Sequence, residues 1–157
     1  MGLDSVIKVF DEKTGEYTDN LSKDIANKFE PLKHELVGLD VHKYDDYYYI
    51  SFRGKAYSYV VNKITNGKYG LYQDLEPKTL KLMYEEFKKF LSKFEYDYEP
   101  SNHMLENIDK LYETDYNVEN WFYALTDQYI PSPREIKCLM EIFNLCAENN
   151  LMIYACY

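Results

Sequence analysis

The chain has 157 residues, is 46% hydrophobic and 29% charged, and carries a net charge of −9. These are globular values, which set aside wholesale disorder, collagen and fibrous repeats, and the length suits one domain spanning 1–157. No apolar run approaches the roughly 18 residues of a membrane span. No basic-then-apolar leader opens the chain, and Val6 stands where a myristoylation signal needs Ser or Thr, so a cytoplasmic protein is expected.

In chain order, Leu3 to Phe10 is β-rich, and Asp11 to Gly15 reads as a turn with the glycine in a left-handed position. Glu16 to Thr18 returns as a short strand. Ser22 caps a helix through Ile25, Ala26 and Phe29, and Pro31 kinks or ends it. Leu36 to Tyr44 and Tyr47 to Phe52 form two further strands joined at Asp45-Asp46, a hairpin. Ala56, Tyr59, Val60 and Ile64 then recur at helical spacing until Asn66-Gly67 caps the end. Pro77 opens the clearest helix, with Leu80, Met83, Phe87, Phe90, Leu91 and Phe94 as its apolar stripe.

From Glu95 onward the charge changes. Residues 95–135 hold ten carboxylates against Lys110 and Arg134, so nearly all of the net charge sits in this stretch. Ser101 and Asn117 are candidate caps for two helices within it, and Pro131 stops the second. Ser132-Pro133-Arg134-Glu135 is a capping box with proline at the first helical position. The helix it opens uses Ile136, Leu139, Met140, Phe143 and Ala147. Leu151 to Tyr157 is short, apolar and β-prone, and reads as a final strand entering the sheet. The expected fold class is therefore α+β: a mostly antiparallel sheet, about five or six helices, and a C-terminal strand that closes the sheet.

Signals for chemistry are sparse. Cys138, Cys146 and Cys156 lack the tight pairing of a zinc site, and His34, His42 and His103 are scattered, so buried free thiols and no metal or cofactor are expected. No nucleophile elbow, His-Glu-x-x-His or Ser/His/Asp context is present, which argues against an enzyme. One corner is basic: Arg53 and Lys55 flank Gly54 where a strand ends and a helix begins. Helix N-termini favour anions and arginine supplies a bidentate fork, so the alternative reading is a small-anion or nucleotide-binding, sequestering module. The bland counterpart is an ion pair of Arg53 with Asp45, Asp46 or the acidic stretch.

Tyrosine is the compositional outlier, at 18 residues. An AT-rich coding sequence favours it, and so does a protein-binding surface. The acidic stretch interleaves both chemistries, and Glu106, Asp109, Tyr112, Glu113, Asp115, Tyr116, Glu119 and Trp121 are its candidate partner-binding residues. Carboxylates steer and select while Tyr and Trp supply contact area. Such a surface repels nucleic acid, attracts a basic protein and can mimic a nucleic-acid backbone.

Three stretches carry a resemblance: Met1-Gly2-Leu3-Asp4, Ile50-Ser51-Phe52-Arg53-Gly54-Lys55-Ala56-Tyr57, and Cys146-Ala147-Glu148-Asn149-Asn150-Leu151. Together they resemble small proteins encoded by phages and prophages of low-GC bacteria. The resemblance implies a genomic setting and no catalytic residue. Small acidic phage proteins often bind host machinery, including CRISPR and other defence systems. The expectation is a non-enzymatic accessory protein, cytoplasmic in the host cell, that inhibits a host protein with a basic surface and contacts neither nucleic acid nor membrane directly.

Overall fold

A computed structural model describes residues 2–36, 38–92, 131 and 133–157. Their architecture is α+β, with five strands in one open antiparallel sheet and four α-helices. Both helices expected between 95 and 130 lie outside the described residues.

Strand β1 (Asp4–Asp11) turns back through residues 12–15 into β2 (Glu16–Thr18). Gly15 has φ +74°, and its amide donates to the Asp11 carbonyl at 2.8 Å, as the turn requires. Ser22 caps α1 (Lys23–Phe29) by accepting from the Ile25 amide at 3.3 Å. Pro31 lacks an amide proton and so cannot extend the α-helical ladder; a 3-10 turn over Glu30–His34 follows instead. That turn runs on into Leu36, whose amide donates to the Leu32 carbonyl, and Gly38 takes φ +87°. Strand β3 consequently begins at Asp40, four residues later than Leu36 to Tyr44 suggests, and ends at Lys43.

Residues 44–47 join β3 to β4 (Tyr48–Phe52), and the Tyr44 amide donates to the Tyr47 carbonyl at 2.8 Å, which leaves Asp45-Asp46 as a two-residue tip. Helix α2 (Gly54–Ile64) follows directly. Its end is a Schellman closure: Asn66 and Gly67 have φ +52° and +77°, and the Gly67 amide reaches the Asn62 carbonyl at 2.8 Å. Helix α3 (Pro77–Ser92) buries Leu80, Met83, Phe87, Phe90 and Leu91. Helix α4 (Pro133–Glu148) packs beside it, with Phe87 and Phe143 edge to face at 5.1 Å. Strand β5 (Leu151–Cys156) ends the fold.

Strand β1 is the central strand. Val6 pairs with Ser51 of β4 and with Tyr154 of β5, so these two strands flank it on opposite sides. Val9 pairs with Thr18 and with Leu151, which puts β2 on the same side of β1 as β4, farther along. The paired backbone groups of Leu21 and Tyr48, both at 2.9 Å, bind the chain after β2 to the start of β4. The C-terminal strand thus flanks β1 rather than joining the sheet's two edges, and the sheet stays open. Its outer edge is covered at one point, where Leu75 and Ile153 exchange both backbone hydrogen bonds and Asp74 Oδ1 accepts from the Ala155 amide at 3.0 Å.

Alternation then assigns the two faces. Ser5, Ile7, Ile50, Phe52, Leu151 and Ile153 are buried on one face, in a common core with Phe29, Tyr57, Val61, Leu80, Phe87, Leu139 and Phe143. Helices cover that side. The Tyr57 hydroxyl donates to Glu135 Oε2 at 2.6 Å inside this core, joining α2 to α4. Glu135, the last residue of the capping-box sequence over 132–135, thus accepts a tertiary hydrogen bond at Oε2, while Ser132 lies outside the described residues.

Candidate interaction face

The opposite face of the sheet carries Asp4, Val6, Lys8 and Phe10 of β1, Tyr17 of β2, Tyr49 and Ser51 of β4, Asp40 and His42 of β3, and Met152, Tyr154 and Cys156 of β5. Only Val6 and Met152 among them are buried. Its aromatic residues come in contacting groups. Phe10 and Tyr17, a cross-strand pair, meet edge to face at 5.4 Å. The Lys8 ammonium lies 3.8 Å above the Tyr154 ring, a cation–π contact across the β1–β5 pair. His42 is the cross-strand partner of Tyr49 and stands edge to face with Tyr44 at 4.6 Å; Tyr44 in turn stacks on Tyr47 at 5.0 Å.

Carboxylates border these rings. Burial raises the Tyr49 phenol pKa above its ordinary value, and the negative charges of Asp19 and Asp4 add to the shift. Asp45 and Asp46 form the hairpin tip, where a cleft of about 660 Å³ is lined by Lys43 to Tyr47. A second cleft, of about 400 Å³, lies beside β5 among Tyr72, Asp74, Tyr154, Cys156 and Tyr157, with the Tyr72 and Tyr157 rings 5.8 Å apart. This is an aromatic, acid-rimmed surface held on a sheet.

The basic corner is built differently. Arg53 precedes α2, and its side chain runs between Gly2 and Gly38, where an added Cβ would lie 3.1 Å from it at either glycine. Its Nε is 3.7 Å from Asp4 Oδ1. Among the described residues its carboxylate partner is Asp4, and Tyr47 with the five residues of β4 separates Arg53 from Asp45 and Asp46, while the acidic stretch from 95 to 130 lies outside the described residues. The Lys55 amide at the helix N-terminus donates to the Leu3 carbonyl at 3.1 Å. Both features that would attract an anion, the guanidinium and a first-turn amide, thus contact acceptors within the chain. Neither Arg53 nor Lys55 lines the two clefts above.

The thiols divide. Cys138 and Cys146 are buried in α4, and burial pushes Cys138 up to about 12 and Cys146 higher still. Cys156, expected to be buried with them, is exposed, because it sits at the end of β5 on the open face. Among the described residues no group of three or more His, Cys, Asp or Glu is placed to hold a metal ion. No helix among them is long and apolar enough to cross a membrane.

Of the residues singled out in the sequence, Glu106, Asp109, Tyr112, Glu113, Asp115, Tyr116, Glu119 and Trp121 lie outside the described residues. The open sheet face was missed. Part of it was within reach: a two-residue loop at Asp45-Asp46 makes Tyr44 face Tyr47 and His42 face Tyr49. Nothing local indicates that β5 pairs with β1 and brings Tyr154 alongside. No protein-family model, curated protein or solved structure matches the chain.

Proposed function

We propose that the chain is a non-enzymatic, phage- or prophage-type accessory protein that binds and inhibits a host protein through an acidic, tyrosine-rich surface. The target class is a nucleic-acid-handling or anti-phage defence complex, in the manner of an anti-CRISPR protein. Such a target carries a basic surface where nucleic acid normally lies, and a chain of net charge −9 is steered to it.

The observation that supports this reading is the sheet with helices on one face and aromatic rings on the other. A sheet face left to solvent is ordinarily polar. Here Phe10, Tyr17, Tyr44, Tyr49 and Tyr154 occupy it or its hairpin extension, at exposures up to 45% for Tyr44. Rigid tyrosines provide contact area at low entropic cost, and bordering carboxylates select a basic partner. The acidic residues from Glu106 to Glu119 extend the same chemistry.

The test is capture from a lysate of a low-GC bacterial host on immobilised full-length protein, followed by mass spectrometry. A basic nucleic-acid-handling protein is expected at low salt and a weaker yield at high salt. A captured set without basic proteins, or one indifferent to salt, would overturn the reading.

A further inference from the structure

The β3–β4 hairpin holds four rings as a two-by-two block on its outer side: His42 opposite Tyr49 in one row, Tyr44 opposite Tyr47 in the next. Carboxylates stand at both ends of the block. Asp45 and Asp46 make the tip, and Asp40, one row behind His42, shares its face. The rings are fixed from beneath, since Val41 and Ile50 on the reverse of the same hairpin are buried in the core. The Leu21–Tyr48 bridge pins the start of β4, beside the tip of the hairpin.

We infer that this block is a platform for arginine side chains presented by an extended segment of a protein partner, of the form Arg-x-Arg. The inference rests on the proposed function and specifies the partner's chemistry. A guanidinium is planar, so it lies flat on a tyrosine face while its edge meets a carboxylate with paired N–H donors; an ammonium can also sit over a ring, as Lys8 does on Tyr154, but it is a point charge without the flat stack or the paired donors. The two rows lie two residues apart along the strands, roughly 7 Å at about 3.4 Å per residue. Alternate side chains of an extended partner have the same repeat, so one arginine meets each row. The end carboxylates Asp40 and Asp45-Asp46 then face the two guanidinium edges, and rings already held by the hairpin need little ordering on binding.

Full-length protein is titrated with the peptide Arg-Gly-Arg-Gly-Arg and with Lys-Gly-Lys-Gly-Lys, both with blocked termini, following affinity by calorimetry and ring-proton shifts by NMR. The arginine peptide is expected to bind about tenfold more tightly, the margin that the flat stack and the paired N–H donors add over an ammonium on the same rings. Tyr44→Leu with Tyr47→Leu should remove that preference, and Tyr44→Phe with Tyr47→Phe should keep it. Thermal melts confirm that each variant is folded. Equal affinity for the two peptides, no binding of either, or a preference that survives the leucine pair would each overturn the platform. Reversing the charges of Glu106, Asp109, Glu113 and Asp115 separates the two ideas: arginine-peptide binding that persists there and is lost in the leucine pair supports the platform. The reverse pattern overturns it while the general reading stands. Failure of the general reading shows instead as lysate capture without basic proteins.

Discussion

At Gly54 an alanine Cβ would run into Ser5 Oγ, with the Leu3 side chain 3.1 Å away. All three groups are buried, so the Ser5 hydroxyl must turn away and the Leu3 side chain must shift within a filled core. Gly54→Ala should therefore destabilise the fold by about 1–3 kcal/mol, the usual range for overpacking, measured by urea denaturation. A variant as stable as the parent would show that α2 can slide off β1. Tyr57 and Glu135 form the other sensitive contact. Tyr57→Phe removes a 2.6 Å hydrogen bond to a buried carboxylate and should cost about 1.5–3 kcal/mol in the same measurement.

Cysteine chemistry follows from burial in the same way. A thiol reagent at pH 8 should modify Cys156 alone in the folded protein and all three cysteines in urea. Cys138 has its folded pKa raised from 9.0 to about 12, so the folded state keeps a proton that the unfolded state releases. Its contribution to stability is intact below about pH 9 and is lost as pH rises from there toward 12. Cys138→Ala should flatten that alkaline decline. At Arg53, both partners of the Asp4 pair are about half exposed, so the pair itself contributes only about 0–1 kcal/mol. With the guanidinium against Asp4 and the Lys55 amide on Leu3, phosphate and nucleotides are expected to leave the melting temperature unchanged in a thermal-shift screen. A rise with any of them would restore the anion site at Arg53 and Lys55.

Among the elements, β5 carries the most. It pairs with β1 over six residues, from Asp4–Cys156 to Val9–Leu151, and Leu75 bridges its far edge at Ile153. Leu151, Met152 and Ile153 are buried, so both faces of the strand's first half are covered. Removing 151–157 would strip β1 of one flank and expose the core on the helix side. The truncated chain should show no cooperative thermal transition by circular dichroism; a melt like that of the full chain would make the segment dispensable. Local signals described most elements well. The Ser22 cap, the Asp45-Asp46 loop, the Asn66-Gly67 closure and the Pro77 start all depend on one or two residues whose backbone preferences act within a turn of the chain. The start of β3 misled because Leu36 has strand-like character but belongs to the turn that follows Pro31.

For the whole molecule the charge distribution is the readable property. Charges are screened over about 8 Å at physiological ionic strength, so the proposed role of the acidic stretch is tested at the encounter step. Charge reversal of Glu106, Asp109, Glu113 and Asp115 should slow association with a basic partner several-fold at low salt, the sense in which rim charges act, and leave the melting temperature nearly unchanged. Stopped-flow or surface-based kinetics would show it, and an unaltered association rate would remove the stretch from the encounter.

What the amino-acid order settled by itself was local: turns, caps, helix faces, the α+β class and the place of the charge. Each follows from backbone preferences or from periodicity along a few residues. Only the tertiary structure decided that β1 is central with β4 and β5 on opposite sides, that Glu135 meets Tyr57, that Arg53 meets Asp4, and that the tyrosines of separate strands share one open face. Those outcomes depend on register between segments far apart in the chain, which is chosen by how well their apolar faces pack together. No short stretch carries that information, because packing is a property of the pair.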